Sequence, residues 1–157
     1  MRSLLQSTID YLNSSKQVAS GKDKSVNLSD FEIRKCDSFG CGHFGASRGS
    51  RTHNGIDLLT PPHKKIPSPV SGTVTKLGYP YGDDLSFRYV EITQKDYKYR
   101  LFYVNPTVAV GTEIKQGDIV GLSQDLDKRY KGIPNHIHFE ILKDGRYVDP
   151  TPVLLVL

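Results

Sequence analysis

"NHIHFEI", residues 135–141, decides how the rest of the chain is read. Ile137, Phe139 and Ile141 alternate with His136, His138 and Glu140. That two-residue period belongs to an extended strand whose two faces differ. The apolar set packs into a core, and both histidines point the other way. Two imidazoles on one face can chelate a cation or handle protons, although the same pattern also occurs on strands whose polar face is merely solvated.

Working outward, the chain breaks into short runs of the same kind. "GIDLL", "SGTVTKL", "FRYVEIT", "YRLFYV", "DIVGLS" and "HIHFEIL" are separated by Gly, Pro and Asp, with no long helical pattern between them. They predict a mainly β domain built on antiparallel pairing. Fourteen glycines, nine prolines, nine tyrosines and no tryptophan suit a turn-rich β protein. Within "VGTEIKQGDIVG", paired turn glycines around alternating Val and Ile predict a hairpin. A chain of 157 residues is long enough for one domain with a real core. Residues 1–30, rich in Ser, Asn and Lys, read as an N-terminal extension. In it Leu4, Leu5, Ile9 and Leu12 line one side of a short helix and "SSKQVASGKDKS" forms a linker; the folded domain then spans 31–157.

Apolar residues make up 37% and charged residues 24%, ordinary for a soluble protein. No apolar run approaches the ~20 residues of a membrane span. The start is too short and too polar for a signal-peptide core, so the chain is expected to be cytoplasmic, already mature, or exported by a route that leaves no such mark. A net charge of +4 biases it mildly toward anionic partners such as nucleic acid or a polyanionic cell wall. The basic clusters at Arg48/Arg51, Lys64/Lys65, Lys95–Arg100 and Lys128–Lys131 also suit a plain solvated surface. No basic-aromatic motif accompanies them, which disfavours nucleic acid.

A second stretch, "RTHNGIDLL" at 51–59, sets His53 and Asp57 four positions apart just ahead of an apolar run. Gly55 between them permits a turn. Asp57 enters the strand-like "IDLL", where a buried carboxylate needs a partner; taken alone, it also suits a turn cap. Together the two stretches offer His53, Asp57 and His138 to a tetrahedral zinc ion. Three protein ligands and one open position describe a catalytic rather than a structural zinc. His136, beside that set, is placed to move protons or polarise a carbonyl. Cys36 and Cys41 in "RKCDSFGCGHFG" allow either a local disulfide or a reduced structural pair, and a zinc knuckle would need further thiols nearby.

"HNGID" followed by "HIHFEI" resembles the HxxxD and HxH signatures of the M23 family of zinc metallopeptidases, the LytM/lysostaphin-type peptidoglycan endopeptidases. The resemblance covers roughly residues 31–152, and "SGTV" and "VAVGTEIKQGDIVG" are similar to that family's β core. Within the family, "IRKCDSFGCGHFGASRGSRTHNGIDLL", "LFYVNP" and "YKGIPNHIHFE" look most like LECT2-like members.

The resemblance implies a compact, barrel-sandwich-like β core with long loops. It also implies a Cys36–Cys41 disulfide, Zn2+ held by His53, Asp57 and His138, and a catalytic role for His136. Family peptidases carry a second catalytic histidine in an upstream Tyr-x-His motif. "FYVNP" matches that motif with Asn105 in the histidine's place. An Asn amide can donate a hydrogen bond but cannot carry a proton, and losing a donor of this kind costs ~10²–10³ in rate. The implied reaction is direct attack by water activated at zinc, without a covalent intermediate. An extended peptide would lie between loops 78–87 and 122–135, walled by Tyr79, Tyr81 and Tyr130. The implied function is hydrolysis of peptide cross-links or stem peptides of bacterial peptidoglycan by a phage lysin, a tail component or a delivered toxin. Such a protein acts in the cell wall, the periplasm or outside the cell. The alternative is a catalytically silent, zinc-binding recognition module.

Overall fold

The computed structural model describes residues 26–157; the expected helix over 4–12 and the linker over 14–25 lie outside them. Twelve strands carry the described chain. β1 (Ser47–Arg48) and β2 (Arg51–Thr52) form a small hairpin, followed by β3 (Ile56–Leu59), β4 (Lys65–Pro67) and β5 (Gly72–Gly78). Next come β6 (Tyr89–Gln94), β7 (Tyr97–Phe102), β8 (Val104–Pro106), β9 (Glu113–Ile114) and β10 (Ile119–Ser123). β11 (His136–Lys143), β12 (Arg146–Val148) and a short helix, α1 (Thr151–Leu154), complete the chain. Every pairing is antiparallel. The expected class is the observed one.

The large sheet runs β12-β11-β7-β6-β5-β9, and β3 also pairs with β11. β11 is its organising strand. One edge lies along β7, while the other is shared, β3 taking residues 136–139 and β12 taking 141–143. Asp144 and Gly145, both at positive φ, make the tight two-residue turn that sets the β11–β12 register. The alternation of β11 falls as its residues dictate. Ile137 and Phe139 are fully buried and Ile141 nearly so, each contributing about 1.5–3 kcal/mol by leaving water. His136, His138 and Glu140 face the other way.

A second sheet, β4-β10-β8, contributes Ile66, Val120 and Val104 to the same core as Val74, Val90, Ile92 and Leu101 of the large sheet. Leu28, on the 3₁₀ turn Leu28–Asp30, is fully buried there too, so residues ahead of 31 already belong to the packed unit. The hairpin expected in "VGTEIKQGDIVG" differs in the structure. Gly117 does turn the chain at φ +91, but β9 pairs with β5 and β10 with β4 and β8, so the two strands enter different sheets. No helix among the described residues is long and apolar enough to cross a membrane.

Candidate metal centre and groove

The pairing of β3 with β11 brings the two sequence motifs together. Asp57 stands directly opposite His138 in the ladder, 81 residues away along the chain. Gly55 makes this approach possible for a reason beyond turning the chain. A Cβ there would overlap the Phe139 carbonyl oxygen and press on Glu140 Cβ and His138 Cε1, each at 3.0 Å. The chain between His53 and Asp57 therefore lies flat against β11.

Three atoms converge. His53 Nε2, Asp57 Oδ1 and His138 Nδ1 form a triangle with every side 3.1 Å. Two hydrogen bonds fix which atoms carry lone pairs. A carbonyl only accepts, so His53 Nδ1–H donates to the His43 carbonyl at 2.9 Å and leaves Nε2 bare. His138 Nε2–H donates likewise to Glu140 Oε1 at 2.9 Å, leaving Nδ1 bare. Three electron-rich atoms facing one another at this distance repel unless a cation or a shared proton lies among them. Ligand bonds of ~2.0–2.2 Å in tetrahedral geometry place donor atoms a little over 3 Å apart, so the donor set and its size both suit zinc. Each imidazole has its outer nitrogen held by an acceptor, the usual support for a metal-ligating histidine.

The remaining oxygen of Asp57 is also held. Arg34, itself buried, donates from Nη1 to Asp57 Oδ2 at 2.6 Å. Arg34 is anchored in turn by Asp37, through Nε at 2.8 Å and Nη2 at 3.0 Å, and by the Gly40 carbonyl at 3.1 Å. Asp37 and Gly40 lie inside the loop closed by the Cys36–Cys41 disulfide. Burial opposes ionisation of Asp57, but the His138, His53 and His136 side chains gathered around it outweigh burial and hold the carboxyl far below its ordinary range. Burial likewise disfavours the charged form of His138, yet the Asp57 and Glu140 carboxylates on either side of the ring prevail and raise it.

His136 stays outside the triangle. Its Nδ1–H donates to the Pro134 carbonyl at 2.8 Å, so Nε2 is free and lies 3.6 Å from Asp57 Oδ2. Burial pushes this imidazole below its ordinary value, which keeps it neutral and able to accept a proton. The triangle and His136 open into a groove of about 420 Å³.

The sequence profile of Peptidase family M23 matches residues 51–150. The chain belongs to this family. It is 32% identical to leukocyte cell-derived chemotaxin-2 of Mus musculus over 124 residues, covering 78% of this chain and 80% of the mouse protein. The Bos taurus protein of the same name is 34% identical over 110 residues, 69% of this chain and 72% of its own. Among solved structures, LytU superposes with a TM-score of 0.59 at 27% identity, covering 74% of this chain and 83% of LytU. The catalytic domain of lysostaphin from Staphylococcus simulans gives 0.60 at 20% identity, 82% of this chain and 95% of that domain, and shows the shared fold.

Within this M23 fold the expected site residues separate. The structure brings His53, Asp57, His136 and His138 into one groove. Asn105 is elsewhere. It sits exposed on β8 and faces a different cleft, shared with His63, Ser86 and Leu122. The reason is local: Tyr103 adopts φ +66, so the strand alternation expected across Tyr103-Val104-Asn105 is broken where β7 ends and the chain crosses to the second sheet. Tyr103 itself fills the groove wall, its ring edge-on to His136 at 5.9 Å. Burial raises its phenol to about 12.

Tyr81 and Tyr130 wall the groove as expected, but Tyr79 does not; it is exposed and covered by Arg88, 4.2 Å from its ring centre. The Tyr81 hydroxyl shares hydrogen bonds with Tyr103 at 2.9 Å and Tyr130 at 2.7 Å, and Arg129 stacks on the Tyr81 ring at 3.7 Å. This cluster ties loop 78–87 to loop 122–135. Sequence reasoning missed Arg34 and the roles of Glu140 and Tyr103. Only Glu140 carried a signal, two residues beyond His138 on the same strand face.

Proposed function

We propose that this chain is a zinc-dependent endopeptidase that hydrolyses peptide cross-links or stem peptides of bacterial peptidoglycan. The observation that carries the reading is the triangle of His53 Nε2, Asp57 Oδ1 and His138 Nδ1, opening beside a neutral histidine into a groove able to take an extended chain. Those three atoms would hold the ion. When bound, zinc supplies Lewis acidity, polarising the scissile carbonyl and lowering the pKa of water. Arg34 keeps Asp57 ionised and turned toward the site. His136, neutral with Nε2 free, accepts the proton of the attacking water and returns it to the leaving amine. Tyr103 stays a neutral phenol on the groove wall. Such an enzyme works in the cell wall or the extracellular space, where a phage lysin, a tail component or a delivered toxin would bring it.

A second reading, a zinc-binding but catalytically silent recognition module, is favoured by one observation. Among the described residues the groove holds His53, His136 and His138 and no further histidine, and beside His136 its wall is the neutral phenol of Tyr103. Release of muropeptides from purified walls separates the two. Hydrolysis is expected, lost on chelation and restored by zinc; His136→Ala should abolish it with zinc still bound, and His138→Ala should lose the metal itself. A zinc-loaded protein that is inert on several wall chemistries would establish the recognition module instead.

A further inference from the structure

Charge is distributed unevenly around the groove. Both carboxylates that line it are engaged: Asp57 by Arg34, His53 and His138, and Glu140 by His138 and by Arg100 at 3.3 Å. Arg34 is likewise spent on Asp37 and Asp57. Two further guanidinium groups line the same groove and are not neutralised in this way by any described residue. Among the described residues Arg48 donates only to backbone carbonyls, Cys41 at 2.6 Å and Ser47 at 3.2 Å. The nearest carboxylate oxygen, Asp57 Oδ2, is beyond hydrogen-bond reach at 3.8 Å. With five N–H donors on the group, three remain unspent. Arg51 makes no ion pair or side-chain hydrogen bond with any described residue.

Arg48 and Arg51 are also direct cross-strand partners in the β1–β2 hairpin. Directly opposed residues of an antiparallel pair project from the same face, and like charges there destabilise the hairpin. The Gly49 turn, at φ +69, nevertheless presents both toward the groove. The disulfide loop seats the first of them, through the Cys41 carbonyl and through Gly40, where a Cβ would come within 3.2 Å of Arg48 Nη1. Two planar forks carried by paired positions of one hairpin and lining one groove suit the recognition of a carboxylate. Asp57 Oδ1 faces the triangle and Oδ2 lies 3.8 Å from Arg48, so the fork stands about one residue's reach, ~3.5 Å, from the ligand it borders.

We infer that Arg48 and Arg51 form an anionic subsite that receives a carboxylate of the bound peptide at, or one residue from, the scissile bond. The inference rests on the peptide-cleaving reading of the groove and specifies its substrate class, a peptide carrying a free carboxylate close to the cleaved amide. That carboxylate is either the chain terminus or an acidic side chain.

Calorimetry on the zinc-loaded protein tests it with three short N-acetylated Gly/Ala peptides. One ends in a free carboxylate, one in an amide, and one in an amide with a single internal Glu. One or both charged peptides should bind at least tenfold more tightly than the neutral amide, and which of them does so identifies the source of the carboxylate. R48Q/R51Q should erase the preference with zinc content unchanged. Equal affinity for all three, or a preference that survives in R48Q/R51Q and so reflects the metal alone, overturns the inference. Digestion of native walls and of walls amidated with carbodiimide and ammonia keeps the two ideas apart. Hydrolysis without charge discrimination defeats the subsite and leaves the peptidase. Charge-selective binding without any hydrolysis defeats the peptidase and leaves the subsite.

Discussion

Replacing Gly55 with alanine probes the contact that joins the two halves of the metal centre. The added Cβ would overlap the Phe139 carbonyl and crowd Glu140 and His138. To restore an ordinary C···O contact, β3 must withdraw from β11 by roughly 1 Å. Packing one extra methyl into a filled site costs about 1–3 kcal/mol, and loosening the β3–β11 ladder at Ile56, opposite Phe139, adds about 1 kcal/mol for a hydrogen bond lost. The expected loss is therefore about 2–4 kcal/mol, a fall in Tm of roughly 5–15 °C for a chain of this size. The metal centre should suffer beyond the loss of stability, because the movement carries Asp57 Oδ1 away from His138 Nδ1. Disturbing the support of a ligand typically weakens metal binding ~10–100-fold. Thermal denaturation with and without zinc, together with competition against a chromophoric chelator, reads both effects. Gly82→Ala, where a Cβ meets nothing within 4 Å, is the control and should be nearly neutral. If Gly55→Ala matches that control in both Tm and zinc affinity, the close approach of β3 to β11 is not what builds the site.

Arg34→Met removes the partner of Asp57 Oδ2 and strands a buried carboxylate, which should cost about 3–5 kcal/mol and weaken zinc ~10–100-fold; unchanged urea midpoints and unchanged metal affinity would contradict this. Asn105→His should leave muropeptide release within about twofold, since Asn105 faces another cleft, and a large gain in turnover would show that residue 105 reaches the metal centre after all. Glu91 gives a pH signature: burial opposes its ionisation, but bonds from Arg100 at 2.9 Å and Thr75 at 2.8 Å outweigh it and lower its pKa. A carboxyl depressed in the folded state contributes stability above its unfolded value near 4.3, and loses it as pH falls through the folded value. Glu91→Gln should therefore flatten the acid limb of a stability profile measured by urea titration; an unaltered slope would refute the assignment.

Much of this was legible in the chain because β11 and its neighbours obey local rules. Alternation in "HIHFEI" placed Ile137 and Phe139 inside and His136 and His138 outside, and tertiary packing had no cause to override it. The short spacing of His53 and Asp57 around a glycine marked a loop returning to a strand. Asn105 was misplaced because the Tyr-x-His likeness of "FYVNP" brings its third position to the metal only if the backbone runs on extended from Tyr103, and a non-glycine residue at φ +66 leaves no trace in composition or periodicity. Arg34 was invisible for another reason. In a chain with 21 lysines and arginines, nothing local distinguishes Arg34, the one guanidinium folded inward among the described residues, since its partner Asp57 lies 23 residues away. The separation of β9 from β10 was hidden similarly, because a turn signal reports where the chain reverses and not which strands its arms will join.

The seating of β3 against β11 also orders events during synthesis. Asp57 leaves the ribosome 81 residues before His138, the residue it must face. Until β11 emerges, β3 has no partner on that edge and the His/Asp pair lies on an open chain. Closing so long a loop is slow compared with forming the β6–β7 hairpin, whose contacts are local. Metal capture therefore reports a closure that must wait for β11. A chain truncated between residues 57 and 138 should carry two of the three donors with nothing to complete them, so a ribosome translating this protein would hold an incomplete metal site for about half of the elongation time.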